Sequence, residues 1–227
     1  MGHLEQIGAA LAHLHRTLAD YPREPRPGLY GYGDLGRVHP ALPQPERLDT
    51  AVLGIEDTGV AQDDLRWWQG EVGRLARFAD TVYRRLPQQV IHGDYAPSNT
   101  LFVGGRLAAV VDFDMALPDV RAMDVAAGLT FAMRVDEMPG PLGRAAAFCD
   151  GYGAVQRLAA VEVAALPDLM ALRDVVSTVW WLGRGLAAGD VRGALGRIAK
   201  TRRRRRWGID HQADLAVCCA AGLGEGG

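Results

Sequence analysis

Apolar residues recur at helical spacing along nearly all of this chain, and only between Gln89 and Val111 does that rhythm give way to short extended runs. A chain with one such island is expected to build a mostly helical α+β domain with a small sheet set into its surface. Leu4, Ile7, Leu11, Leu14 and Leu18 predict a first helix within residues 1–21, closed by Pro22, because proline disfavours helix in the residue before it. Residues 22–61 are rich in Pro and Gly, among them Pro25, Pro27, Gly31, Gly33, Gly36, Pro40, Pro43 and Pro45, and read as a long irregular connection. Within 62–118, a second helix is predicted over 62–86, burying Leu65, Trp68, Val72, Leu75, Phe78 and Val82. Extended runs at 89–91, 101–103 and 107–111 follow, the last two joined at Gly104-Gly105 as a hairpin. Residues 119–222 return to helix, over 122–135, 141–152, 155–165 and 167–186, with weaker helices from Val191 and Ile209.

The length of 227 residues, with 48% hydrophobic residues, suffices for a sizeable core and one large domain. A net charge of −2 gives no overall attraction to nucleic acid or an anionic membrane. Arg and Asp interrupt every apolar stretch before it could span a bilayer. Cys149, Cys218 and Cys219 show neither an even framework nor metal-ligand spacing, so a reduced, cytoplasmic setting is expected. The chain has one lysine, Lys200, and one asparagine, Asn99.

That asparagine falls inside the extended island. The sequence there runs Val90-Ile91-His92-Gly93-Asp94-Tyr95-Ala96-Pro97-Ser98-Asn99 and then Val110-Val111-Asp112-Phe113-Asp114. Transfer of a phosphoryl group needs an acidic group beside the attacking hydroxyl and hard oxygen ligands for Mg2+ on the phosphates. Asp94-x-x-x-x-Asn99 has the internal spacing of a kinase catalytic loop, in which Asp is the base and Asn a metal ligand. The order strand, loop, hairpin, Asp folds Asp112 back beside that loop, where the kinase metal-binding carboxylate stands. His92 is expected to hydrogen-bond backbone and fix the turn, and Gly93 to let it form. Asp114 suits either a second metal, a substrate contact or a turn cap; Asp124 suits a helix N-cap or a clamp on the loop. A chance match to His-Gly-Asp-x-x-x-x-Asn in such a chain is of order one in a thousand, before Asp112 is counted.

These residues resemble the paired signature of the aminoglycoside phosphotransferase superfamily, which includes choline kinases and type II homoserine kinases; Asp124-Val125-Ala126 resembles its next landmark. The resemblance implies a protein-kinase-like C-lobe with a small inserted β-hairpin, Asp94 as catalytic base, and Asn99 and Asp112 as metal ligands. It also implies ATP and Mg2+ as cofactors and a small-molecule hydroxyl substrate, such as a metabolite or an aminoglycoside-like compound.

The family places a β-rich lobe, with a phosphate-covering loop and a strand lysine, ahead of the first helix. Here that N-terminal lobe is expected to be absent, and the whole of 1–227 to form one C-lobe. Lys200 lies beside an arginine run, and Gly31-Tyr32-Gly33-Asp34-Leu35-Gly36 has a nucleotide-loop spelling without a strand before it or a helix after it. Three explanations stay open: a fragment, an enzyme completed by a separately encoded N-lobe, or a catalytically dead pseudokinase that binds a ligand or partner. Arg202 to Arg206 could meet nucleic acid but reads more simply as a solvated helix end, so no nucleic-acid partner is expected. At least one Trp in each of the pairs Trp67-Trp68 and Trp180-Trp181 is expected in the core. Glu162, Asp168 and Asp174 could line a cleft for a cationic substrate but read more simply as ordinary charges of surface helices.

Overall fold

Helix dominates the computed structural model, which describes residues 2–56 and 59–224. Eight α-helices are described: α1 His3–Leu18, α2 Thr50–Leu53, α3 Gly59–Thr81, α4 Ala122–Met133, α5 Pro141–Gly153, α6 Ala160–Ala188, α7 Val191–Asp210 and α8 Gln212–Leu223. Four short strands stand between α3 and α4: β1 Gln88–Ile91, β2 Thr100–Val103, β3 Arg106–Val110 and β4 Leu117–Val120. None of the described helices is long and apolar enough to cross a membrane.

The expected hairpin forms, β2 pairing antiparallel with β3 across Gly104-Gly105. The first extended run does something else. β1 pairs antiparallel with β4, Val90 opposite Pro118 and Ile91 opposite Leu117, so there are two two-stranded sheets rather than one hairpin. Sequence reasoning passed over β4 because Pro118 cannot donate to a ladder; a two-stranded sheet tolerates it by leaving its nitrogen side unpaired.

Helix boundaries shift for physical reasons. The helix expected to reach residue 86 ends at Thr81, followed by a 3-10 turn at Tyr83–Arg85, and Val82 is exposed instead of buried. The segments expected as two helices, 155–165 and 167–186, are one helix, α6, with Pro167 inside it. The residues before it are not helical, and Leu158 bridges to Gly224. The 22–61 connection is mostly irregular but holds 3-10 turns at Leu35–Arg37 and Pro45–Arg47, and the one-turn α2. Asp49 caps α2 by accepting the Val52 N–H at 2.9 Å. Residues 57–58 of that connection lie outside the described residues.

The chain divides into two compact units, each with its own core. The first takes in Met1–Gly31, Arg85–Met170 and Asp210–Gly227. In it α1 packs on α5, burying Ile7, Leu11 and Ala12, while α5 also packs against α4 and α8. Arg121 and the buried Glu162 form an ion pair there, so Glu162 is no surface charge.

The second unit takes in Tyr32–Arg84 and Ala171–Ile209. Its core holds Trp68, whose indole N–H donates to the Pro45 carbonyl at 2.7 Å. The arginine run turns out to lie within a helix, with Arg202, Arg204 and Arg205 in ion pairs. Arg202 meets Asp64 at 2.7 Å, Arg204 meets Asp174 at 3.5 Å, and Arg205 meets Glu71 at 3.1 Å. A solvated helix end is therefore the wrong picture; these side chains tie α7 to α3 and α6 within the unit. Trp180 and Trp181 are both exposed, at 45% and 42%, against expectation. Trp181 lies beneath the guanidinium groups of Arg184 and Arg197, an arrangement that shelters its ring without burying it.

Candidate active site

The His92–Asn99 loop and the Asp112 turn both belong to the first unit. β1 delivers the chain to His92, and β3 delivers it to Asp112. What joins them is the peptide of Val111. Its N–H donates to the Asn99 carbonyl at 2.9 Å, and its carbonyl lies 3.0 Å from His92 Nε2. A carbonyl only accepts, so Nε2 carries the proton; Nδ1 then accepts the Asp94 N–H at 3.3 Å. Both ring nitrogens of His92 are thus engaged by backbone. The loop closes on itself as well, Asn99 Nδ2 donating to the Asp94 carbonyl at 2.9 Å.

Two residues with positive φ shape the site. Asp112 adopts a left-handed conformation, φ 67° and ψ 65°, which Asp tolerates better than most residues but at a cost of roughly 1 kcal/mol. That conformation breaks β3 and starts the 3-10 turn Phe113–Met115. Gly93 has φ +80°, and a Cβ there would lie 2.1 Å from the Met115 carbonyl oxygen. Only glycine lets the loop come this close to the turn.

The loop is held from beneath by a buried polar relay. Asp124, at the start of α4, accepts the N–H groups of His92 at 2.7 Å and Gly93 at 3.0 Å. Its Oδ2 also meets His15 Nε2 at 3.3 Å, and His15 Nδ1 meets the Tyr152 hydroxyl at 2.9 Å. Asp124 is 1% exposed and His15 fully buried. Burial holds the Tyr152 phenol well above the ordinary tyrosine range, so it serves as a neutral hydrogen-bonding group. Tyr95 is likewise pushed up by burial and then by the Asp124 charge, and its hydroxyl donates to the Ile7 carbonyl at 2.7 Å. His15, Tyr95 and Tyr152 were missed from sequence. One signal was available: His15 stands four residues after Leu11 on the apolar face of α1, where a polar side chain needs a buried partner.

Against this frame the carboxylates of Asp94, Asp112 and Asp114 make no hydrogen bond or ion pair among the described residues. Asp94 and Asn99 are half-buried; Asp112 and Asp114 are exposed. No group of three His, Cys, Asp or Glu side chains that could hold a metal occurs among the described residues. The two donors expected from the sequence are the Asp112 carboxylate and the Asn99 amide, whose Nδ2 is occupied and whose Oδ1 has only a 3.5 Å contact from Ser98. Hard oxygen donors so few in number suit Mg2+ completed by water and phosphate oxygens, and do not suit a closed protein cage. The Gly31–Gly36 segment supplies nothing comparable: Asp34 pairs with Arg84 at 3.2 Å, and only a 3-10 turn follows it.

Residues 2–161 match the phosphotransferase enzyme family. Homoserine kinase of Brucella ovis is 32% identical over 173 residues, covering 74% of this chain and 47% of the relative. A choline/ethanolamine kinase family protein from Mesorhizobium loti shares the fold, with a TM-score of 0.57 and 17% identity, over 95% of this chain and 66% of that one. Amicoumacin kinase hAmiN, in complex with AMP-PNP, Ca2+ and Ami, superposes with a TM-score of 0.54 and 15% identity, over 93% of this chain and 59% of its own. The chain spans about half the length of the curated homoserine kinases it matches.

Proposed function

The chain belongs to the phosphotransferase enzyme family, and on that premise we propose that it serves ATP-dependent phosphorylation of a hydroxyl group on a small amine-bearing alcohol. The observation that carries this reading is the double engagement of the Val111 peptide, by Asn99 on one side and His92 on the other. It ties the loop of Asp94 and Asn99 to the turn of Asp112 without using any of their side-chain oxygens. Asp94 would accept the hydroxyl proton as base. Asn99 and Asp112 would hold Mg2+, which when bound neutralises phosphate charge. Asp124 and His92 would keep the loop rigid, since positioning carries most of the catalysis in such reactions. The substrate class follows from similar proteins whose names join a hydroxyl to an amine, namely homoserine kinase and choline/ethanolamine kinase.

We read the chain as the catalytic lobe of the kinase-like fold, acting with a β-rich nucleotide-gripping lobe. No lysine occurs in the first unit to offset the charge of a polyphosphate, so transfer by these residues alone should be slow. The test is a single-turnover assay at high protein concentration, with γ-labelled ATP and homoserine, ethanolamine or choline. Label should pass to one of these alcohols only with Mg2+, and Asp94→Asn should stop it. If no label moves and no Mg·ATP binds, the phosphotransferase reading of this chain is wrong.

A further inference from the structure

Arg26 belongs to no motif, yet it reaches the turn that Asp112 opens. Its Nη1 donates to the carbonyls of Phe113, at 3.1 Å, and Ala116, at 2.9 Å. Both hydrogens of one nitrogen are thereby spent on the two ends of the Phe113–Met115 turn. The base from which this side chain extends is preset. Pro25 and Pro27 flank it, and the Arg26 carbonyl accepts the Leu29 N–H at 3.1 Å around Pro27 and Gly28. Gly28 has φ +83°. Proline followed by a positive-φ glycine is the central pair of a type II turn, so the segment presents Arg26 from a stiff corner.

The rest of the guanidinium is uncommitted. Arg26 is exposed, and among the described residues its Nε and Nη2 groups have no partner, neither Asp112 nor Asp114 included. The Nε/Nη2 edge of an arginine offers two parallel N–H groups spaced for two oxygens of one phosphate or carboxylate. Anchoring through Nη1 fixes that edge and lowers the entropy lost when an anion meets it. The local charge favours a phosphate that brings its own cation. Asp94, Asp112 and Asp114 put three carboxylates on the loop and turn, which would repel a bare anion but hold one carried by Mg2+.

We propose that Arg26 is a phosphate-binding residue, anchored through Nη1 to the turn and engaging through Nε and Nη2 the polyphosphate of a Mg2+ complex held at Asp112. This rests on the reading of Asp112 and Asn99 as the metal site. It gives the first unit, which contains no lysine, a permanent positive charge beside the phosphates.

Calorimetric titration of the full chain with magnesium tripolyphosphate tests it, using Arg26→Ala, Arg26→Lys, Asp112→Asn and, as a control on the same segment, Arg23→Ala. Arg26→Ala should weaken binding by roughly tenfold or more, as expected for losing a charge-assisted pair of hydrogen bonds. Arg26→Lys should recover only part, because an ammonium cannot present the fork. Arg23→Ala should bind like the parent, and all four should melt close to the parent temperature. Unchanged affinity in Arg26→Ala, with Asp112→Asn still weakened, overturns the inference and leaves the metal site standing. Weakening in Arg26→Ala with none in Asp112→Asn upholds the phosphate contact and overturns the metal assignment. No binding by the parent chain at millimolar concentration overturns both.

Discussion

The carboxylate of Asp124 accepts the backbone N–H of His92 at 2.7 Å, thirty-two positions away in sequence. The same carboxylate takes the Gly93 N–H and meets His15, so one buried side chain fixes the loop to α4 and α1 together. Asp124→Ala would strand two buried N–H groups and an imidazole. A loss of about 3–5 kcal/mol in denaturant unfolding is expected, the range for breaking a buried charged network. Asp124→Asn should also destabilise, by less, because its amide retains one acceptor but turns donors toward donors. A change below about 0.5 kcal/mol in the alanine variant, the level of ordinary surface substitutions, would mean the relay is not structural.

Glu71 gathers Arg74, at 2.8 Å, and Arg205, at 3.1 Å, and is itself buried. Glu71→Ala should therefore cost about 1–3 kcal/mol, by leaving two guanidinium groups without their shared partner. Arg203→Ala, at an exposed position of α7 with no ion pair among the described residues, should be nearly neutral. Fluorescence anisotropy with labelled duplex DNA should show no salt-sensitive binding that Arg203→Ala abolishes. Such binding would mean the run meets phosphate rather than Asp64, Glu71 and Asp174.

The three thiols should differ in reactivity. Hydrogen bonding to Cys149 holds the half-buried Cys218 thiol below the ordinary cysteine range, with burial opposing. The buried Cys149 is pushed far up by hydrogen bonds with Cys218 and Cys219 and then by burial. A thiol with a lowered pKa is ionised at lower pH, so Cys218 should label first with an aromatic disulfide reagent below pH 8.5, the reference value for a free cysteine. The fast phase should vanish in Cys218→Ser and remain in Cys149→Ser. Loss of that phase in Cys149→Ser alone would reverse the assignment.

Much of the frame was legible because it rests on local rules. The helical spacing of Leu4 to Leu18, the Gly104-Gly105 turn and the Asp94–Asn99 interval each follow from neighbours in sequence. What escaped was set by distant contacts. β4 exists because β1 supplies its partner, overriding Pro118 and Asp119. The arginines at 202, 204 and 205 look solvated until α3 and α6 place Asp64, Glu71 and Asp174 against them. His15, Tyr152 and Arg26 matter through partners from 87 to 137 positions away, and no local pattern encodes such a pairing.

The proposed site depends on two carboxylates with different duties: Asp112 for the metal and Asp94 for the hydroxyl. Titration with Mg2+ and AMP-PNP separates them in one calorimetric experiment on the parent chain, Asp94→Asn and Asp112→Ala. Asp94→Asn should bind within about threefold of the parent, since a base adds little to ground-state nucleotide affinity. Asp112→Ala should lose the Mg2+-dependent part of binding, roughly tenfold or more, because it removes the proposed carboxylate ligand. Equal Mg2+-dependent affinity in Asp112→Ala and the parent chain would contradict the assignment of this turn as the metal site.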